Sequence, residues 1–154
     1  MQLAEKQRAK IIYNISERQF RNYFTKAVGI KGNTGEHFLR LLEHRLDNVI
    51  YRMGLALSRP QARQLVNHGH VLVNGKKVNI PSYQTKIGET IAIREKSQKS
   101  PYFVNRKESV KMENIPDWLN WDVKTQTGKI VKDPVSEDVK KAVNAKMIIE
   151  FYSR

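Results

Sequence analysis

The chain has 154 residues, enough for one substantial core or two small ones, and its 28 Lys and Arg against 15 Asp and Glu leave a net charge of +13. With no cysteine, disulfides and thiol chemistry are excluded, and any zinc site would rest on His and carboxylates alone. The apolar runs, such as Met147-Ile148-Ile149, fall far short of the roughly 20 residues of a membrane span. The start, Met1-Gln2-Leu3-Ala4-Glu5-Lys6-Gln7-Arg8, has neither the apolar stretch nor the small-residue cleavage site of a signal peptide, so a cytoplasmic location is expected. A charge this large predicts a polyanionic partner. Nucleic acid is favoured over a membrane surface, because no basic amphipathic helix with a wide apolar face and no lipid anchor is evident.

Residues 1–44, 45–97 and 98–154 carry 8, 9 and 11 basic against 4, 3 and 8 acidic residues, or +4, +6 and +3, so the middle segment is the most basic. In the first segment Ser16-Glu17-Arg18-Gln19 is a capping box that opens a helix, with Phe20, Phe24, Ala27 and Val28 on its apolar face and Gly29 at its end. Lys31-Gly32-Asn33-Thr34-Gly35 is a loop whose glycines let backbone N–H groups approach an anion, or an ordinary surface turn. From Glu36 on, Phe38, Leu39, Leu42, Leu46, Val49, Ile50 and Met53 recur at helical spacing, which predicts one helix running into the middle segment as far as Gly54. Ser58 caps a second helix that tolerates Pro60 in its first turn, points Ala62, Leu65 and Val66 inward, and stops at Gly69.

Val71-Leu72-Val73 and Lys76-Lys77-Val78 flank Asn74-Gly75, the favoured two-residue hairpin turn. Gly88 makes a further turn, and Ile91-Ala92-Ile93 alternates as a last strand. The predicted fold class is α+β: a mostly helical first domain, 1–44 plus 98–154, interrupted by an inserted module, 45–97, of two helices packed on a small twisted antiparallel sheet. After the polar run Ser97-Gln98-Lys99-Ser100-Pro101, Tyr102 to Met112 is weakly helical. Trp118, Leu119 and Trp121 are expected to anchor the C-terminal flank to the first domain, in preference to stacking on bases. Asp133-Pro134 precedes a short helix near Glu137 to Ala145, and Met147 to Tyr152 reads as a β-prone tail.

Arg59, Arg63 and Asn67 stand at i, i+4 and i+8, one row on a helix face, with Gln64 and His68 on the adjoining row. Two guanidiniums one turn apart repel unless an anion joins them, and a phosphate backbone supplies that anion. Lys76 and Lys77 would extend the basic surface, although exposed lysines at a turn are common. His68-Gly69-His70 brings two imidazoles close in sequence, but the spacing and the lack of Cys or clustered carboxylates argue against a metal. Ser58, His68 and Asp47 stand in no nucleophile context, and no nucleotide-binding fingerprint or paired-carboxylate motif is present, so no residue is a catalytic candidate and no cofactor is expected.

The run Arg45-Leu46-Asp47-Asn48-Val49 through Gly54, then Ser58-Arg59-Pro60-Gln61-Ala62-Arg63-Gln64-Leu65-Val66 and Gly69-His70-Val71-Leu72-Val73-Asn74-Gly75, resembles the RNA-binding module named after ribosomal protein S-four. That module recurs in several RNA-binding families, so alone it marks a module only. Leu3-Ala4-Glu5-Lys6-Gln7, Glu17-Arg18-Gln19-Phe20, Asn79-Ile80-Pro81-Ser82-Tyr83 and the terminal Glu150-Phe151-Tyr152-Ser153-Arg154 make the chain similar to the bacterial or organellar S-four family of ribosomal proteins over nearly its whole length. The resemblance is weakest from Lys99 to Lys146. It implies binding to a multi-helix junction in the five-prime domain of small-subunit ribosomal RNA and an early role in subunit assembly. It also implies contact with ribosomal protein S-five, an influence on decoding accuracy, contact with messenger RNA on its way into the subunit and, in some bacteria, repression of the protein's own messenger. No membrane partner is implied, and an organellar member would sit in the matrix or stroma. Family members usually begin with a further basic segment, sometimes bearing zinc-binding cysteines, ahead of the point where this sequence starts. The resemblance assigns RNA contacts to Lys6, Arg8, Lys10, Arg18, Arg21, His37, Arg40 and His44. With the residues read above, the predicted interface adds Lys31, Arg45, Arg59, Arg63, Gln64, Asn67, His68, His70, Lys76 and Lys77.

Overall fold

The structure is a computed structural model that describes residues 1–110 and 114–154. The chain divides into two compact units, one made of Met1–Glu43 with Pro134–Arg154 and the other of His44–Asp133.

The first unit is helical. Helix α1 (Gln2–Tyr13) stops where Asn14 turns left-handed at φ 58°, a conformation that Asn tolerates. Helix α2 (Glu17–Val28) starts as its capping box predicts, the Ser16 hydroxyl accepting the Gln19 backbone N–H at 3.3 Å. Helix α3 (Thr34–Glu43) is capped by Asn33, whose Oδ1 accepts the Glu36 N–H at 3.1 Å. The predicted loop thus spends its side-chain oxygen on its own helix.

Helices α8 (Glu137–Ala142) and α9 (Ala145–Tyr152) complete this unit. The latter corrects the β-prone reading of Met147 to Tyr152. Ala145, Ile148, Ile149 and Tyr152 recur at i, i+3, i+4 and i+7, and Asn144 caps the first turn by accepting the Met147 N–H at 3.2 Å. Ala9, Tyr13, Phe20, Tyr23, Phe38, Leu39, Leu42, Val139, Val143 and Ile148 form the core, with Phe20 edge-on to Phe38 at 5.0 Å. Tyr13 donates to the carboxylate of Glu43, which is fully buried.

The second unit is α+β, and it starts with a correction. The apolar period that predicted one helix from Glu36 to Gly54 is kept, but the helix is not continuous. Arg45 is extended at φ −61°, ψ 137°, and helix α4 (Leu46–Arg52) begins after it. Backbone bonds to a distant segment displace the helical ones: Leu46 N–H donates to Tyr83 C=O at 2.9 Å, Asp47 N–H to Pro81 C=O at 3.1 Å, and Thr85 N–H to His44 C=O at 2.8 Å. Helix α5 (Arg59–Asn67) follows, with Ser58 accepting the Gln61 N–H at 3.2 Å and Pro60 in its first turn.

Strands β1 (Val71–Val73) and β2 (Lys76–Lys77) form the predicted hairpin, with Asn74 and Gly75 both at positive φ, 50° and 80°. Strand β3 (Thr90–Ile93) pairs with β1, Leu72 opposite Ala92. After helix α6 (Glu95–Gln98) comes helix α7 (Pro101–Ser109), where the weak helix was expected. The Lys111 and Met112 end of that expectation lies outside the described residues.

Strands β4 (Leu119–Asp122) and β5 (Thr127–Ile130) then extend the sheet to the order β2-β1-β3-β5-β4, every pair antiparallel. The segment 98–133 therefore packs with the middle of the chain, not with the first helices. Trp118, Leu119, Trp121 and Ile130 share one core with Leu46, Ile50, Met53, Leu65, Val71 and Ile91. The physical reason is strand pairing: β5 offers the edge of β3 a partner, and Gly128 on β5 leaves room for the Met53 side chain, which a Cβ there would strike.

Candidate nucleic-acid interface

Helix α5 carries the predicted basic row, and the packing splits it. Arg59 is 9% exposed, donating from Nε to Asn48 Oδ1 at 3.0 Å with its guanidinium 4.5 Å over the Tyr51 ring. It ties α5 to α4 instead of facing outward, so the paired-guanidinium row of Arg59 and Arg63 is corrected to a single outward guanidinium. Arg63, Gln64, Asn67 and His68 are exposed. Arg45 is likewise buried, held by Asp47 through two bonds of 3.0 and 2.9 Å. A planar guanidinium in a bidentate pair with a carboxylate is a structural use of charge.

His44 is half-buried, its Nδ1 at 3.3 Å from the Thr85 hydroxyl and its ring edge-on to Trp118 at 6.3 Å. Lys76 and Lys77 are exposed on the hairpin. His70 is half-buried, its Nδ1 2.7 Å from the hydroxyl of buried Ser97 and its ring 5.5 Å from Phe103. Burial, with the nearby charges of Arg94 and His68, holds its imidazole below the ordinary 6.5. His68 and His70 lie 6.4 Å apart between ring centroids, and no group of three His, Asp or Glu able to hold a metal occurs among the described residues.

The helical unit uses many of its predicted contacts internally. Lys6 is 6% exposed, so the expectation that it faces outward is corrected. Its Nζ lies 3.0 Å from Glu17 Oε1 and 4.6 Å from the Phe151 ring centroid. Lys10 takes the other Glu17 oxygen at 3.0 Å. Burial raises the Glu17 carboxyl, but its bonds from Lys6, Lys10 and Tyr152 outweigh that and leave it below its ordinary 4.5. Arg8 pairs with Glu5 at 2.7 Å and donates to the Ala142 carbonyl at 2.6 Å. Arg40 sits 3.7 Å from Glu36 and 2.9 Å from His37 Nδ1, while His37 Nε2 is 2.8 Å from the Lys31 carbonyl. Arg18, Arg21 and Lys31 are exposed, Arg21 with its guanidinium 5.9 Å from the Tyr152 ring centroid.

One cation of this surface was missed in the sequence. Arg94 follows the last predicted strand within the 45–97 module with no role predicted for it, yet its N–H donates to the His70 carbonyl at 2.8 Å, continuing the β1–β3 ladder by one step. The alternation of β3 was the signal that could have found it. Among the described residues, no helix is long and apolar enough to cross a membrane.

Comparison with known proteins matches two family models in succession. Residues 1–43 match the ribosomal protein S4/S9 N-terminal domain and residues 44–91 match the S4 domain. The chain is similar along its full length to curated proteins named small ribosomal subunit protein uS4. It is 51% identical over 154 residues to that of Acetivibrio thermocellus, covering 74% of the relative. It is 51% identical over 156 residues to that of Roseiflexus castenholzii, covering 76%, and 50% identical over 154 residues to that of Thermus thermophilus, covering 74%. With relatives this similar over all of its residues, the chain belongs to the uS4 family of small-subunit ribosomal proteins.

Proposed function

We propose that this protein is a structural, non-catalytic constituent of the small ribosomal subunit that binds small-subunit ribosomal RNA directly. The observation that carries the reading is the pairing of full-length similarity to uS4 proteins with an outward row of Arg63, Gln64, Asn67 and His68 on the S4 domain. A guanidinium with amide and imidazole neighbours suits RNA, gripping phosphate while the neutral groups reach sugar and base edges. The finer reading places the RNA site at a helix junction of the five-prime domain, where binding nucleates subunit assembly. Contact with ribosomal protein S-five would couple the protein to translational accuracy, and messenger RNA entering the subunit is a further contact. The corresponding location is the cytoplasm, or the matrix or stroma in an organelle.

Two other readings are disfavoured. RNA-modifying enzymes append the same module, but full-length similarity to a ribosomal protein favours a structural role. A factor that only visits the subunit is disfavoured for the same reason, and stoichiometric recovery with salt-washed small subunits separates a resident from a visitor.

The test is binding to the isolated five-prime domain of small-subunit ribosomal RNA against an unrelated folded RNA of equal length, across a salt series. A preference that survives physiological salt is expected. Equal, salt-labile binding to both would reduce the protein to a generic polycation.

A further inference from the structure

Lys77 crosses Gly69 between His68 and His70, and Arg94 on the next strand adjoins His70. Gly69 ends α5 at φ +79°, and the Lys77 side chain lies across it: a Cβ built at Gly69 would collide with Lys77 Cε and stand 2.9 Å from its Nζ. Register brings in Arg94. Lys77 pairs with Leu72, and Leu72 with Ala92, so the three share one face of the sheet. Two residues along, His70 and Arg94 fall on the same alternation, joined by the Arg94 N–H bond to the His70 carbonyl. Strands lie about 4.8 Å apart, so Lys77 and Arg94 flank β1 within reach of one small anion held by their long side chains.

The ordinary explanation for a lysine at the end of a helix is that it caps the last carbonyls. Here the backbone performs that task, with Gly69 N–H on Val66 C=O at 3.0 Å and His70 N–H on Leu65 C=O at 3.2 Å. The Lys77 side chain is exposed and makes no hydrogen bond or ion pair, and Arg94 has no ion-pair partner, among the described residues. The Nε of Arg94 is buried with no hydrogen-bond acceptor among the described residues. Glu95, next to Arg94 in sequence, is exposed and pairs with neither. Among the described residues, the two permanent cations flanking two imidazoles have no carboxylate paired with them.

We propose that Lys77 and Arg94 jointly seat one phosphate of the RNA backbone over Gly69, with His68 and His70 beside it, at the end of the outward row of α5. This inference rests on the RNA-binding reading above and names a contact within it. Glycine at position 69 then has two functions: it adopts the left-handed turn, and it keeps the floor of the seat low enough for Lys77 to cross.

The experiment measures affinity and salt slope on the five-prime domain RNA for wild type, Lys77→Gln, Arg94→Gln, Arg94→Lys and the Lys77→Gln/Arg94→Gln double variant. Each neutralising single substitution is expected to weaken binding about 10-fold and to flatten the salt slope by about one unit, while Arg94→Lys keeps most of the slope. Because one phosphate is shared, the double variant loses less than the product of the two single losses and its slope falls by about one unit, not two. Fully multiplicative losses with a slope change of about two would mean two separate contacts and would overturn the shared seat. Wild-type affinity and slope in Lys77→Gln, whose exposed side chain supports nothing in the fold, would overturn it as well. If wild type itself shows no preference for this RNA, the RNA-binding reading fails first, and that result is distinct from either.

Discussion

Lys6 and Lys10 of the helical unit share one carboxylate, Glu17, whereas Lys77 and Arg94 of the second unit share none among the described residues. The contrast extends further. In the helical unit Arg8 is matched by Glu5, and Arg40 and Lys140 by Glu36. In the second unit Arg45 and Arg59 are buried on Asp47 and Asn48, exposed Lys132 pairs with Asp117 at 3.0 Å, and Arg63, Lys76, Lys77 and Arg94 have no ion-pair partner among the described residues. A net charge of +13 announces a polyanionic partner, but it does not say which cations meet it. Those already neutralised by a neighbouring carboxylate gain less from a phosphate than those held without one, so the balance of local acids is a better guide to the interface than the count of bases.

The largest effect expected from breaking this comparison is on folding. Asp47→Ala removes the carboxylate that takes two bonds from the buried Arg45 guanidinium and should cost the second unit about 3 to 5 kcal/mol. Urea unfolding followed by the fluorescence of Trp118 and Trp121, both in that core, reads the loss directly. A change under about 1 kcal/mol would mean that Asp47 is not what stabilises the buried guanidinium.

Arg63→Ala should do the reverse. Stability stays within about 0.5 kcal/mol, as for other exposed sites, while affinity for the five-prime domain RNA falls about 10-fold. Filter binding beside a melting curve separates the two readouts, and a destabilised variant with unchanged affinity would assign Arg63 to the fold.

Glu17→Gln addresses the helical unit. Its carboxyl titrates below 4.5 in the folded protein, so its contribution is present above that value and is lost as pH falls through the lowered folded-state value. The carboxylate is 38% exposed, and solvent screening limits the effect to about 1 kcal/mol or less. Denaturation of wild type and variant should differ at neutral pH and converge in acid; curves that stay parallel would contradict the ion-pair account.

His70→Gln is the smallest change. Burial holds the folded imidazole below 6.5, so the unfolded chain takes up the proton first and stability declines as pH drops below 6.5. The variant should lose that slope between neutral and mildly acidic pH, measured by the same fluorescence.

Most of the fold was readable because local signals agreed with the final packing. The Ser16 and Ser58 caps, the Asn74-Gly75 turn and the alternation of Val71 to Val73 and of Ile91 to Ile93 each specify a local structure that the tertiary fold leaves alone. The failures are places where distant partners decide. The break at Arg45 exists because Tyr83, Pro81 and Thr85 bond to the backbone there, and nothing within a helical window of Arg45 announces it. Trp118 and Trp121 were rightly read as core residues and assigned to the wrong core, because aromatic content signals burial without an address. Met147 to Tyr152 is rich in β-prone side chains, and their helical period on a waiting apolar surface prevailed over propensity. In the interface, the spacing of Arg59 and Arg63 placed them on one row, but only packing showed that Asn48 and Tyr51 claim the first of them.

The most direct test of the central claim compares Lys10→Ala with Arg63→Ala by measuring the salt dependence of binding to the five-prime domain RNA. Carboxylate-matched Lys10 should leave the wild-type slope in place, while loss of Arg63 flattens it by about one unit. An equal flattening from both, or none from Arg63→Ala, would contradict the account that cations without a carboxylate partner are the ones that hold RNA.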